Sequence, residues 1–319
     1  MRKRSNRSPS ALLLGCLSAI GGCCDAPDPK PPIDQAAAPE SLGQTAYDHV
    51  AGLVAMGPRH AGTKGWRNAL WYIETELQRI GLEPEREEFD SAVAQTTFAN
   101  VRCTIPGRSE TRLVLACHHD TKVFEGHLNE EDNFHFVGAN DSASGVGLCL
   151  SLAGYYVDHP PPLTIELCFF DGEESLTIDW NDQLSLFGSR EYVRQHVEDG
   201  RLDGHPVRAM VLVDMVGADH LSFDDDQRST PWLKRLFRTT ARDLGLEHLV
   251  FRERGSIKDD HVPFLAAGIP SINLIDLYDN PEWHTPDDTL DHIRAESLQH
   301  SARLVLELIE RIATRRTSL

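Results

Sequence analysis

Three carboxylates crowd into one short loop in the middle of the chain. Asp171, Glu173 and Glu174 directly follow the apolar run 163–170, which predicts a buried strand that ends at this loop. Carboxylates buried side by side need a cation, a shared proton or a metal ion nearby. The loop alone is equally consistent with a solvated acidic turn, so the choice between a turn and a site depends on the rest of the chain.

Other acids and histidines occupy the same kind of position, just past a predicted strand. They are His118 and Asp120 after strand 112–117, Asp214 after strand 207–213, and His284 in the loop after strand 269–275. In parallel sheets, ligands bind beyond the carboxyl ends of the strands. We therefore expect four separate segments to deliver these side chains to one edge of a sheet.

Predicted helices alternate with the strands. They cover residues 66–80, 142–157, 188–197, a segment that starts at Thr230-Pro231, and 295–314. This alternation predicts an α/β fold with a largely parallel central β-sheet and helices on both faces. Asp141 lies near the start of helix 142–157, where backbone N–H groups can hold an ionised carboxylate. Neither an internal repeat nor a second domain boundary is evident, so residues 41–319 are predicted to form one domain.

The composition is typical of a soluble globular protein, with 40% hydrophobic and 25% charged residues in a chain of 319. The 49 acidic residues outnumber the 31 basic ones and give a formal net charge of -18. Such an acidic surface argues against nucleic acid and anionic lipid as partners of the folded part.

The N-terminus is predicted to be an export signal. Its apolar run, 11–22, follows a basic leader and is too short for a transmembrane anchor. The signal, residues 1–23, ends in I-G-G-C, which resembles a bacterial lipobox with Cys23 as the lipidated first residue of the mature protein. Residues 24–40, rich in proline and alanine, are predicted to be a tether. We expect a bacterial lipoprotein on the periplasmic or cell-surface side, with a lipid anchor as its only membrane contact; a secreted protein is the alternative.

Four cysteines remain for the domain: Cys103, Cys117, Cys149 and Cys168. An even count in an exported protein permits disulfides without requiring them. Cys117 and Cys168 lie in apolar strand-like runs, so buried free thiols are the simpler interpretation. The chain has no C-x-x-C pair, so a zinc cluster built from cysteines is not expected.

Seven segments together resemble one family, the glutaminyl-peptide cyclotransferases of animal type. In order, they are LACHHDTK (115–122), FVGANDSA (136–143), FFDGEES (169–175), SLFGSR (185–190), LVDMVGA (212–218), DDHVPFL (259–265) and WHTPDD (283–288). Weaker similarity reaches back to the G-P-R of 57–59, so the resemblance covers nearly everything after the tether. It implies a fold shared with zinc aminopeptidases, and an enzyme, expected to be a monomer, that converts the N-terminal glutamine of peptides or proteins to pyroglutamate with loss of ammonia.

The resemblance also implies a site. One zinc ion would be held by Asp141, Glu174 and His284, which leave one tetrahedral position open, as in catalytic zinc sites. Glu173 matches the acid that carries a proton from the substrate amine to the departing nitrogen. Asp214 and Asp259 match acids that orient the amine and the tetrahedral intermediate.

Two tryptophans match aromatic walls of the family's substrate pocket, and some positions depart from its pattern. Trp283 stands directly before His284, whereas Trp180 lies one residue farther from the glutamate pair than in the family. Val146 replaces a cysteine that often pairs with the one at the position of Cys117, so that disulfide is not expected. The loop 122–136 is longer and more acidic. Two histidines of this loop, His127 and His135, and two that precede it, His118 and His119, are expected to be polar residues on the surface.

The closest alternative is a zinc aminopeptidase on the same fold. Such enzymes resemble this chain in the pattern of His118 and Asp120, and bind a second zinc through that histidine and an acid at the position of Asp214. All of these ligands are present, so they leave open whether the site holds one zinc or two. The cyclase-like segments around Asp259 and His284 favour the cyclase. A binding module without catalysis would be expected to lose Glu173, which is retained.

Overall fold

The apolar runs of the sequence form the middle of a mixed sheet in the structure, a computed structural model that describes Pro39 and residues 41–315. The strands are β1 (Glu85–Ser91), β2 (Thr96–Ile105), β3 (Arg112–His118), β4 (Thr164–Phe170), β5 (Val197–Glu198), β6 (Arg201–Leu202), β7 (His205–Val213), β8 (Phe223–Asp226), β9 (Val250–Gly255) and β10 (Ser271–Leu274). The four strands predicted from the sequence, β4, β3, β7 and β10, lie side by side in this order and are parallel. The predicted α/β fold is confirmed.

Antiparallel strands extend this parallel centre. β2 pairs with β4, and β1 pairs with β2, both antiparallel. The short β5–β6 hairpin joins the beginning of β7, and β8 and β9 form a separate parallel pair. None of these strands was predicted. β1, with the sequence E-R-E-E-F-D-S, is largely solvent-accessible and has no apolar alternation that could have indicated a strand.

Helices cover both faces of the sheet. They are α1 (Ser41–Val54), α2 (Lys64–Arg79), α3 (Gly145–Asp158), α4 (Phe187–His196), α5 (Pro231–Asp243), α6 (His261–Ala266) and α7 (Ala295–Thr314). The bounds predicted for α7 are confirmed, whereas α1 was not predicted. α3 begins three residues later than predicted, because Ala139–Ser144 form an irregular turn in which Asp141 and Ser142 have non-helical dihedral angles.

Successive side chains of β3 alternate between two hydrophobic cores, one on each face of the sheet. Leu113 and Leu115 belong to the larger core, whereas Val114 and Ala116 point to a smaller core on the opposite face. The larger core receives the apolar faces of α1, α2, α3, α5 and α7, and the smaller one those of α4 and α6. Since both faces are buried, β3 can be apolar along nearly its whole length.

All four cysteines of the described residues are buried free thiols, including Cys103 and Cys149, so no disulfide crosslinks this part of the chain. Within the same residues, no helix is long and apolar enough to cross a membrane. The export signal at 1–23, the acylated Cys23 and almost all of the tether lie outside the described residues and stay predictions.

The acidic loop after β4 is held by the segment that begins α4. Three successive backbone N–H groups of that segment donate to three carbonyls of the loop, at 2.8–3.0 Å. The pairs are Leu186 to Glu173, Phe187 to Gly172, and Gly188 to Asp171. This ladder fixes the path of the loop that carries Glu173 and Glu174.

The ladder depends on a glycine, which gives a first testable prediction. A Cβ at Gly188 would lie 2.3 Å from Asn100 Oδ1 and 2.5 Å from the carbonyl oxygen of Asp171. We expect Gly188→Ala to lower the free energy of unfolding by about 1–3 kcal/mol, since overpacking displaces backbone. Gly154→Ala, in the middle of α3 with nothing within 4 Å, is the matched control and should be neutral or stabilising by up to about 1 kcal/mol. Urea unfolding measures both; equal effects would contradict the prediction.

Candidate metal centre and active site

Three ligand side chains from three separate loops meet beyond the ends of the parallel strands. Asp141 comes from the turn before α3, Glu174 from the loop after β4, and His284 from the loop after β10. His284 Nε2 lies 3.1 Å from Glu174 Oε1 and 3.3 Å from Asp141 Oδ2. Ligand atoms around a tetrahedral zinc ion are about 3.4 Å apart, since each lies about 2.0–2.2 Å from the metal. The spacing and the nitrogen and oxygen donors thus fit an ion of this kind.

A second group of possible ligands shares Asp141 with the first. His118 Nε2 lies 3.2 Å from Asp141 Oδ1 and 3.4 Å from Asp214 Oδ1. His118 Nε2 and Asp214 Oδ1 are buried and have no hydrogen-bond partner among the described residues. The two oxygens of Asp141 therefore face two adjacent candidate metal positions, one with His284 and one with His118.

The expectation that His118 and His119 are polar surface is wrong, because both are fully buried. His118 continues β3 into the site, and its Nδ1 lies 3.3 Å from Asp120 Oδ1. The two oxygens of Asp120 also accept hydrogen bonds from the N–H groups of Glu173 and Glu174, at 3.2 and 3.3 Å. Asp120 thus ties the histidine of one candidate position to the loop that supplies the other.

The expected capping of Asp141 by helix N–H groups is also wrong. Its carboxylate faces His118 and His284, and burial of this carboxylate is outweighed by these two histidines, so that its pKa lies below its usual range. The peptide N–H groups of this turn are instead held by Asp288, which accepts from Asn140 at 2.7 Å and from Asp141 at 3.1 Å.

A buried arginine holds the backbone beneath this turn. Arg59 is fully buried and donates three hydrogen bonds to carbonyl oxygens: His119 at 3.1 Å, Val137 at 2.6 Å and Gly138 at 2.9 Å. It also carries a positive charge close to Asp288, although burial lowers the pKa of the guanidinium to about 10. Sequence reasoning assigned no role to Arg59 or Asp288, although both lie in segments that show the family resemblance.

The third acid of the loop does not join the ligands. Asp171 accepts hydrogen bonds from Trp66 Nε1 at 2.8 Å and from the N–H of Ala99 at 2.7 Å. This carboxylate links the end of β4 to α2 and β2. Its role is to position the loop, while Glu173 and Glu174 face the site.

Glu173, Asp214 and Asp259 line the same cavity as the first ligand group, with a volume of about 300 Å³. Burial, reinforced by the charge of Asp259, raises the pKa of Glu173 well above its usual range. Burial likewise raises the pKa of Asp214 to about 7, against the opposing charge of His118. Asp259 is fixed by Asn273 Nδ2 at 2.7 Å and by the N–H of the residue that follows it. The cavity thus concentrates acids whose negative charge is costly without a cation.

Aromatic side chains form the walls of this cavity. Trp283 stacks on His284 with 4.3 Å between ring centroids, and Trp180 also lines the cavity despite its one-residue displacement. They are 42% and 37% exposed, so their rings are available to a ligand. Phe124 and Phe136 of the long acidic loop pack edge-on against His284, at 5.7 and 6.0 Å. The loop therefore supports a candidate ligand, which the sequence did not indicate.

Two opposing effects act on the pKa of His284. Burial lowers the pKa of this histidine, but Glu174 and Asp141 outweigh it and raise the pKa to about 9. Its backbone has φ 56°, a conformation uncommon outside glycine. Such strain is often concentrated at functional positions, and the imidazole of His284 faces the two carboxylates.

Comparisons with known proteins match the chain to a peptidase family and to glutaminyl cyclases. Residues 100–309 match the model of peptidase family M28. The chain is 31% identical to a glutaminyl-peptide cyclotransferase of Bos taurus over 77% of this chain and 76% of that protein. Its structure is similar to that of an Acidobacteriales bacterium glutaminyl cyclase, with TM-score 0.78, 32% identity, and coverage of 86% and 96% of the two chains. A Zn-dependent exopeptidase from Parabacteroides distasonis is also similar, with TM-score 0.74, 27% identity, and coverage of 84% and 97%.

The contact between Trp66 and Asp171 gives a second prediction. Trp66→Phe removes the indole N–H and leaves one oxygen of a buried carboxylate less well satisfied, so we expect a loss of about 1–3 kcal/mol in the free energy of unfolding. Trp71→Phe, on the same helix but 64% exposed, is the matched control and should change stability by less than about 0.5 kcal/mol. Equal losses in urea unfolding would show that the hydrogen bond contributes nothing.

Proposed function

Because this chain belongs to peptidase family M28 and to the glutaminyl-peptide cyclotransferases, we propose that it cyclises the N-terminal glutamine of peptides or proteins to pyroglutamate and releases ammonia. The family resemblance seen in the sequence is confirmed by the relatives and the solved structures. The chain is accordingly an enzyme of the acyltransferase type.

One observation carries the proposal: among the described residues, no group hydrogen-bonds to the buried carboxylate of Glu173. It is 6% exposed and lines the cavity beside the first ligand group, yet no side chain of the described residues hydrogen-bonds to it. Asp171 and Asp288, in contrast, each accept two hydrogen bonds and fix neighbouring segments. A carboxylate with a raised pKa that faces a cavity is suited to accept and return a proton.

The reaction needs little more than positioning and proton transfer. The α-amine of the glutamine attacks the side-chain amide carbon, a C–N bond forms, and the amide nitrogen leaves as ammonia. Glu173 would take the proton from the attacking amine and return it to the departing nitrogen. Asp214 and Asp259 would orient the amine from the walls of the cavity, while Trp283 and Trp180 pack against the glutamine side chain.

Asp141, Glu174 and His284 would hold one zinc ion, and such an ion would supply a Lewis acid for the amide carbonyl and for negative charge on its oxygen. The support for this ion is the donor set and its spacing. Burial and neighbouring acids raise the pKa values of Glu173 and Asp214 beside these ligands, and a divalent cation would offset that accumulated negative charge.

A zinc aminopeptidase remains the second candidate, and one observation favours it. His118, Asp141 and Asp214 form a second ligand group next to the first, as a two-metal site requires. The relatives named as cyclases support the first candidate more strongly.

The third prediction separates these functions. With a Gln-initiated and a Leu-initiated peptide, we expect ammonia loss from the first and no change in the second, measured by mass. Glu173→Gln should lower turnover by at least about 100-fold, since it removes the proton carrier. Zinc content should stay the same, because Glu173 is not among the ligands. Release of leucine, or undiminished cyclisation by the variant, would contradict the assignment.

The fourth prediction concerns the number of metal ions. We expect one zinc per chain by elemental analysis, lost in His284→Gln and retained in His118→Gln. The two substitutions are matched, because each removes the histidine of one ligand group and leaves the shared Asp141 in place. Two zinc ions in the unmodified enzyme, with one lost in His118→Gln, would instead establish the two-metal site of the aminopeptidase.

A further inference from the structure

A second cavity, of about 640 Å³, forms a groove between α4 and α6. Apolar side chains from both helices, such as Val193 and Val262, form its floor. Its charged side chains are Arg190, Arg194, Arg228, Lys258 and Asp182. Four cations and one acid therefore surround an apolar floor, in a chain whose formal net charge is -18.

Much of this positive charge is not neutralised. Lys258 pairs with Asp182 at 2.6 Å and Arg194 with Glu191 at 2.5 Å. Arg190 donates to a backbone carbonyl, that of Asp182, rather than to a carboxylate. Among the described residues, no acid lies within ion-pair distance of Arg190, and the guanidinium of Arg228 has no hydrogen-bond or ion-pair partner. The groove thus offers two arginines to an anionic ligand.

The groove adjoins the catalytic cavity at one shared residue. Lys258 lines both cavities. Asp182 joins it to the aromatic wall, since its carboxylate accepts hydrogen bonds from Lys258 Nζ at 2.6 Å and from Trp180 Nε1 at 2.7 Å. A polypeptide whose first residue occupies the catalytic cavity would pass over this junction and reach the groove.

We propose that the groove between α4 and α6 binds the segment that follows the substrate's N-terminal glutamine, and that it selects substrates with acidic residues in that segment. The inference rests on the proposed cyclase function, because only a substrate anchored by its N-terminus places its next residues here. Arg190 and Arg228 supply the positive charge, and the apolar floor accepts the side-chain stems. A long polyanion is a poor alternative, since the rest of the surface is acidic and repels it.

The fifth prediction tests this selection with two Gln-initiated peptides that differ only in carrying several Asp/Glu or several Lys residues after the second position. At about 0.01 M ionic strength we expect kcat/KM for the acidic peptide to be about 5-fold higher or more, mainly through KM, because each exposed charge pair contributes modestly. At about 1 M the Debye length falls to about 3 Å and the preference should disappear.

Substitutions test whether Arg190 and Arg228 cause the preference for the acidic peptide. The double variant Arg190→Gln/Arg228→Gln should lose the preference, with kcat unchanged for a short uncharged Gln-peptide. Arg235→Gln, which removes an exposed arginine of α5 that does not line the groove, should keep it. Equal turnover of the two peptides by the unmodified enzyme, or a preference that survives in the double variant, would overturn the groove assignment and leave the cyclase standing. No ammonia from either peptide would overturn both.

Discussion

Buried negative charge beyond the parallel strands is the constraint on which the site depends. Each carboxylate taken out of water costs free energy unless a cation or an N–H group compensates it. His118 and His284 compensate the two oxygens of Asp141, but one buried oxygen of Asp214 accepts no hydrogen bond from the described residues and lies 3.4 Å from His118 Nε2. A divalent ion bound here would offset this remaining cost, which would couple metal affinity to folding stability at this centre.

The buried acids around the candidate metal centre fall into two groups according to their hydrogen-bond contacts. Asp120 and Asp288 accept hydrogen bonds from backbone N–H groups and so fix the turns that carry the ligands, whereas no group in the described part of the chain hydrogen-bonds to the Glu173 carboxylate. Arg59 holds the backbone below them through three carbonyls. The separation matters because a proton carrier must be free to exchange its proton, while a ligand must be held still.

The central fold could be predicted because its strands are buried on both faces and are continuous apolar runs, as in β3 and β7. The charged strand β1 could not, since its pairing with β2 comes from tertiary context. For the site, strand ends indicated where acids and histidines would meet, but the ligand set came from the family resemblance, because Asp141 and His284 lie far apart in the chain. The burial of His118 was missed for a related reason: a loop-like sequence does not show which neighbours will cover it.

The four buried free thiols have a consequence for how this domain matures. Burial raises the pKa values of Cys117 and Cys168 well above the usual range, which disfavours the reactive thiolate. The fold therefore depends on its core and its charge network rather than on a crosslink. Within the described residues, neither an oxidant nor disulfide exchange is needed to reach the native state, so its stability is independent of whether the surrounding compartment is oxidising or reducing.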